Sequence, residues 1–209
     1  NRYNKAKAKC DKRIYTLGTS SNDEPNIDYR VRYPMYEQIV SENPLFAAAA
    51  VTEWYHRNIQ YENREPIKMQ LGEVSDTFFD VFDLKIISGD PHKILSTPNM
   101  AMISDSAAEI LFGDEDPLGK TIKMRTVDDD EVAKEYTIQG VYSSWDSKPT
   151  HISILSGTDL LTGFSPKDHA LYHPELKWQL AFETFVKCRK GAKRVDIEKN
   201  LEGIAKRAD

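Results

Sequence analysis

Residues 74–90 read VSDTFFDVFDLKIISGD, residues 102–124 read MISDSAAEILFGDEDPLGKTIKM, and residues 136–142 read YTIQGVY. In the first block Ser75 is placed to cap a helix, with Asp76 in its first turn and Phe78, Phe79 and Phe82 following. Phe78 and Phe82 stand one turn apart and can cover a sheet together; an exposed aromatic surface is the alternative. An extended segment over 84–87 comes next, and Ser88-Gly89-Asp90-Pro91 turns it away. The second block continues a strand over 100–103 into a helix over 105–112. Ser104 caps that helix, Asp105 adds negative charge at its favourable end, and Ala107, Ile110 and Leu111 form the predicted buried stripe. Gly113 ends it after Phe112. Asp116-Pro117-Leu118-Gly119 fits a type I turn, with Pro at the second position and Gly at the fourth. Lys120 then opens a strand that turns Ile122 and Met124 inward. In the third block Tyr136, Ile138, Gly140 and Tyr142 share one face of a strand, and Gly140 either admits a close neighbour or marks a bulge.

Outward from this centre, residues 13–17 read as a strand and 18–26 as a loop. Pro34 suits the first turn of a helix whose Met35, Ile39 and Val40 share a face and which stops at Asn43-Pro44. Residues 45–55 contain four consecutive alanines, which favour helix by local propensity. In 66–74, Ile67, Met69 and Leu71 alternate with Lys68 and Gln70, the pattern of a half-buried strand. The acidic run 128–131 reads as a solvated hairpin connection. Trp145, amid polar residues, either folds back onto the body or forms a contact tip for another subunit. Residues 151–155 read as a short strand, 156–174 as a polar and mobile surface, and 182–187 as a strand. A Gly191 turn leads into a final amphipathic helix with Ile197, Leu201, Ile204 and Ala205 on one face.

With 209 residues, 40% of them apolar, the chain can bury a real core. Its net charge of −5 supplies no overall basic field for a phosphate backbone, so nucleic acid is not an expected partner. Neither a signal peptide nor a membrane-spanning apolar run is present. The chain carries no G-x-S-x-G elbow and no phosphate-cradling loop, which excludes a standard hydrolase or ATPase site. His169 and His173 lie four apart near Glu175, but Pro174 undermines a helix there and argues against zinc. Cys188 beside Arg189 has no identifiable base, and no carboxylate dyad can be picked out. No catalytic residue, metal or cofactor is expected.

The order of these blocks resembles the extracytoplasmic domain of ABC-transporter permeases of the MacB-like, FtsX-like class. There an aromatic-rich helix precedes an ISxxxAxxLFG helix, a DPLGKxI turn and strand, and a YxIxGV strand; FETFVKCRKGAKRVDIEKNLEGIAKRA, residues 182–208, resembles the closing unit. The residues that carry the likeness are Phe78, Phe79, Phe82, Gly89, Ser104, Leu111, Phe112, Gly113, Asp116, Pro117, Gly119, Lys120 and Gly140. Residues 156–178 depart from it. The resemblance implies an α+β fold in which a porter-like lobe of strand-helix-strand units, 1–89 plus 180–209, carries an inserted smaller mixed or β-rich lobe, 90–179. It also implies a strand, rather than a helix, over 49–54.

Functionally, the likeness implies a non-catalytic module on the outer side of a cytoplasmic membrane, in the periplasm. The chain opens at Asn1 without an initiator Met, and the resemblance implies flanking membrane helices in a parent permease. Expected partners are a second permease chain, a cytoplasmic ATP-binding subunit or domain, and a periplasmic adaptor protein. A freestanding interaction or ligand-binding module is the alternative. An extracytoplasmic setting permits a Cys10–Cys188 disulfide, with two independent thiols as the favoured reading.

Overall fold

The computed structural model describes residues 13–17, 30–42, 45–126, 133–144, 157–165 and 181–208. The expected elements at 18–26, 128–131 and 151–155, with Cys10, Trp145, His169, His173 and Glu175, lie outside them.

In chain order the elements are β1 (Ile14–Thr16), β2 (Arg30–Arg32), α1 (Tyr33–Glu42), β3 (Phe46–Tyr61), β4 (Ile67–Val74), α2 (Phe78–Val81), β5 (Ile86–Ser88), α3 (Pro91–Leu95), β6 (Met100–Ser104), α4 (Asp105–Phe112), β7 (Thr121–Thr126), β8 (Lys134–Tyr142), β9 (Leu160–Gly163), β10 (Ala181–Cys188) and α5 (Arg194–Ala208). The mixed α+β architecture is built on one ten-stranded sheet, ordered β1-β10-β3-β4-β9-β6-β8-β5, with β2 on β10 and β7 joining β3 to β8. That last pairing closes β3, β4, β9, β6, β8 and β7 into a ring. Strands from 90–179 and from its flanks pair within this sheet, so the ladder runs unbroken across position 89.

The ring has a packed interior. Ile59, Leu71, Leu160, Ile103, Ile138 and Ile122, one from each strand, are at most 1% exposed and belong to one cluster. Helix α4 adds Ala107, Ala108, Leu111 and Phe112 to it. A second cluster surrounds α2, whose Phe78 and Phe82 rings lie 4.8 Å apart, with Phe82 5.2 Å from Phe185 on β10 and Phe78 6.5 Å from Trp54 on β3. Phe79 reaches Tyr142 on β8 at 6.0 Å. The aromatic residues of this helix therefore join the outer strand β10 to the ring. A third cluster places α1 and α5 against β10 through Ile39, Ile197, Leu201, Ile204 and Val186.

The strand expected over 49–54 is present and longer, residues 46–61, because pairing with β10, β4 and β7 outweighs the alanines' local preference of a few tenths of a kcal/mol per residue. Several other expectations are corrected. Ser75 does not cap α2: the helix begins at Phe78 after Thr77, and Ser75 hydrogen-bonds the Thr77 hydroxyl at 2.9 Å. Val40 and Ile110 are 45% and 60% exposed, and Tyr33 and Ala108 are buried instead. Short helix α3, started by Asp90 accepting from the Lys93 amide, follows the turn at Gly89. The turn before β7 runs one residue later than expected, with Lys120 N–H donating to Pro117 C=O at 3.2 Å. Gly119 is then its third residue, and φ of +80° is what a type II turn requires there. Tyr136 and Ile138 lie on the ring's inner side, whereas Gly140 and Tyr142 lie on the other, because a register shift opposite Ala101 and Met102 interrupts the alternation. Finally, 160–163 is no mobile surface: β9 pairs parallel with β4 and antiparallel with β6, in the middle of the sheet.

Candidate functional site

The motif residues of 78–140 hold structure together. Ser104 Oγ accepts from Ala107 N–H at 3.2 Å, capping α4. Gly113 takes φ of +63° and donates to Glu109 C=O, ending the helix. Asp116 Oδ1 accepts from Leu118 N–H at 3.0 Å in the following turn. Lys120 Nζ donates to Tyr61 Oη at 2.9 Å and pairs with Glu115, while lying 4.9 Å and 5.5 Å from the Tyr61 and Phe112 ring centres. It thus ties the end of α4 to β3. At Gly140 a Cβ would stand 2.8 Å from Ile94 Cδ1 and 3.0 Å from Ser88 O, so bulge and close approach coincide. Gly89, at φ of +88°, backs onto the same strand.

None of these residues forms an acid–base or nucleophilic constellation. Cys188 is a free, buried thiol, and burial pushes its pKa up to about 11 against the opposing pull of Arg13. That arrangement suppresses the thiolate rather than favouring it. Among the described residues no group of three His, Cys, Asp or Glu side chains is arranged to hold a metal ion.

The described residues form a cleft of about 990 Å³. It forms where the inward-facing positions of the ring change from apolar to polar. Past Leu71, Leu160 and Ile138, the next residues facing the same way are Glu73, Thr162 and Tyr136, and all three line the cleft. Tyr33, Tyr36 and Glu37 of α1 and residues 95–100, from the end of α3 to the start of β6, also line it. Tyr33 Oη donates to Glu37 Oε1 at 2.7 Å. Burial, then the Asp76 carboxylate, pushes the Tyr36 hydroxyl up to about 12. The Tyr136 hydroxyl is raised by burial and by Glu73, with Arg57 opposing. The Thr162 hydroxyl is enclosed and has no hydrogen-bond partner. Sequence reasoning missed this site, since its lining comes from five separate segments and carries no local motif.

The described residues define an α+β domain with a strand ring and flanking helices. Residues 6–204 match the family of the MacB-like periplasmic core domain, and the chain belongs to that family. Solved structures share its fold at low identity. A domain of a protein described as a permease, from Porphyromonas gingivalis, superposes with TM-score 0.67 at 20% identity, covering 88% of this chain and 80% of that one. The periplasmic region of MacB from Actinobacillus actinomycetemcomitans gives 0.62 at 17%, covering 93% and 82%. The extracellular domain of the ABC-type transporter YknZ from Gram-positive bacteria gives 0.57 at 16%, covering 88% and 85%. No curated protein is matched by the sequence.

Proposed function

We propose that the chain acts as the extracytoplasmic domain of an ABC transporter permease, coupling ATP-driven movement of membrane helices to substrate export or to the action of an envelope partner. The observation that carries this reading is that the first and last described strands are neighbours. β1 pairs antiparallel with β10, Arg13 C=O accepts from Cys188 N–H at 2.9 Å, and α5 sets off from the same corner. Displacement entering along either strand is delivered to one edge of one sheet. The aromatic contacts of α2 and the β10–β3 pairing then pass it to the ring. A domain that transmits motion needs such a packed body, and the two arrangements it alternates between belong to its contacts with other chains.

On this reading the partners are a second permease chain, a cytoplasmic ATP-binding subunit or domain, and a periplasmic adaptor protein, with the domain on the periplasmic side. Among the described residues no helix is long and apolar enough to cross a membrane; on this reading membrane helices are supplied by other parts of the parent permease. The domain supplies no catalysis: the highly purified chain is expected to show no ATP hydrolysis, and turnover abolished by a substitution in this chain would refute that. For coupling, the test is a flexible Gly/Ser linker of about ten residues placed after Ala208 in the parent permease. Hydrolysis should continue while export falls sharply; export at the unaltered rate would remove the mechanical role. The cleft also favours a second reading, a freestanding ligand-binding module. Extraction of the native protein by salt, without detergent, would favour that module.

A further inference from the structure

We propose that the corner of the fold where the start of β1, the β10–α5 turn and the first turn of α5 meet lies against an anionic lipid surface, its cations over the headgroups and Val195 dipping between them. Residues 1–13 hold six Lys and Arg and one Asp, and residues 187–194 hold Lys187, Arg189, Lys190, Lys193 and Arg194 with no carboxylate. Eleven of the chain's 28 cations thus fall in 21 of its 209 residues, so the two segments carry +10 and the other 188 residues −15. A chain whose net charge is −5 concentrates its positive charge in two stretches near opposite ends of the sequence.

The fold brings the two stretches together. Arg13 C=O accepts from Cys188 N–H at 2.9 Å, and Arg13 Nη1 donates to Cys188 C=O at 3.3 Å. Tyr15 of β1, Ala192 of the turn and Ile197 of α5 belong to one apolar cluster, which fixes the turn beside the start of β1. Some of the charge is matched internally: Lys187 pairs with Asp83 at 3.1 Å and Arg194 with Glu198 at 2.7 Å, and Asp196 is the carboxylate of the first turn of α5. Lys190 and Lys193 are exposed, and neither makes an ion pair with another described residue.

Two observations select a lipid surface over an acidic protein. Val195 directly follows Arg194 and, at 71%, is the most exposed large apolar residue among the described residues. An aliphatic tip set among cations suits a headgroup layer, where apolar atoms enter and ammonium groups stay at the surface. Residues 1–12 also lead to this corner; the proposal rests here on the permease reading, by which a membrane helix precedes them and tethers the corner to a bilayer. Next to anionic lipid each Lys or Arg strengthens binding roughly fivefold, and the effect fades within a Debye length of about 10 Å. The acidic remainder of the chain is repelled by the same surface, which turns the basic corner towards it.

The test floats the purified 209-residue chain with vesicles of phosphatidylcholine alone and of phosphatidylcholine with about one third phosphatidylglycerol, in about 0.1 M salt. The chain should rise with the anionic vesicles only, and about 1 M salt should release it. Lys190→Gln/Lys193→Gln should weaken binding by about tenfold to thirtyfold and Val195→Ser by about threefold, with melting curves unaltered because all three positions are exposed. The same charge change at exposed Lys68 and Lys123, on β4 and β7, should leave binding as it was. No binding to anionic vesicles, an equal loss in the two double variants, or polyglutamate or duplex DNA bound when vesicles are not would each overturn the proposal. Flotation is read on the chain alone, so its failure removes this surface and leaves the permease reading to be judged by the linker variant.

Discussion

Phe78 is 1% exposed and touches Trp54, Phe79 and Phe82, so Phe78→Ala removes the centre of the contact between β10 and the ring. Denaturant titration should show a loss of about 3 to 5 kcal/mol; an unchanged transition would mean that the ring does not rest on this residue. Thr162→Val has the opposite expected sign, because deleting an unpaired buried hydroxyl while preserving shape is neutral or stabilising by about 1 kcal/mol. Glu183 gives a pH dependence. Burial raises its pKa above the ordinary 4.5, opposed by Trp54, whose Nε1–H donates to Oε2 at 3.2 Å, and by Arg30. Its folded-state pKa being the higher one, its contribution to stability is complete below the unfolded value and is lost as pH rises through the folded one. Glu183→Gln, which can still accept from Trp54, should reduce the fall in melting temperature over that interval; an identical pH profile would contradict the assignment. Buried aromatics, the Ser104 cap and the Gly113 stop were legible in the sequence because they act within one turn of chain. Val40 and Ile110 were misread because helical spacing identifies a face and leaves its centre free by one residue either way, which contacts with β10 and the ring then set.

Glycines set how closely the elements approach one another. A Cβ at Gly163 would stand 1.8 Å from Leu95 O, so β9 and α3 touch backbone to backbone. At Gly140 the nearest atoms include the movable end of Ile94. Gly163→Ala should therefore cost more than Gly140→Ala, with over-packing of about 1 to 3 kcal/mol as the scale and Gly163 at or above its top. Equal melting temperatures would show that α3 yields easily. Strand β9 also marks where sequence reading stopped. LLTG is a short run without alternation, in a polar neighbourhood, and its strand character comes from β4 and β6, which lie tens of residues away in the chain. The alanine run of β3 is the converse case: local propensity favours helix, and three neighbouring strands outweigh it. The polar lining of the cleft needed both the ring closure and β9, so it could not be read before the strand order was known.

For the molecule as a whole, β1 and β10 lie at one end of the strand order, with α5 following β10, and the sheet continues from there through the ring to β5; on the proposed reading this is the edge that receives displacement. Pulse EPR on the parent permease can test whether this body moves as a unit. One spin label at Lys190, in the turn after β10, and one at Ile87 on β5, 50% exposed, sit near opposite ends of the strand order. On ATP binding the Lys190–Ile87 distance within a domain should stay fixed while the Lys190–Lys190 distance between the two permease chains changes. A change within the domain as large as the change between chains would contradict rigid transmission.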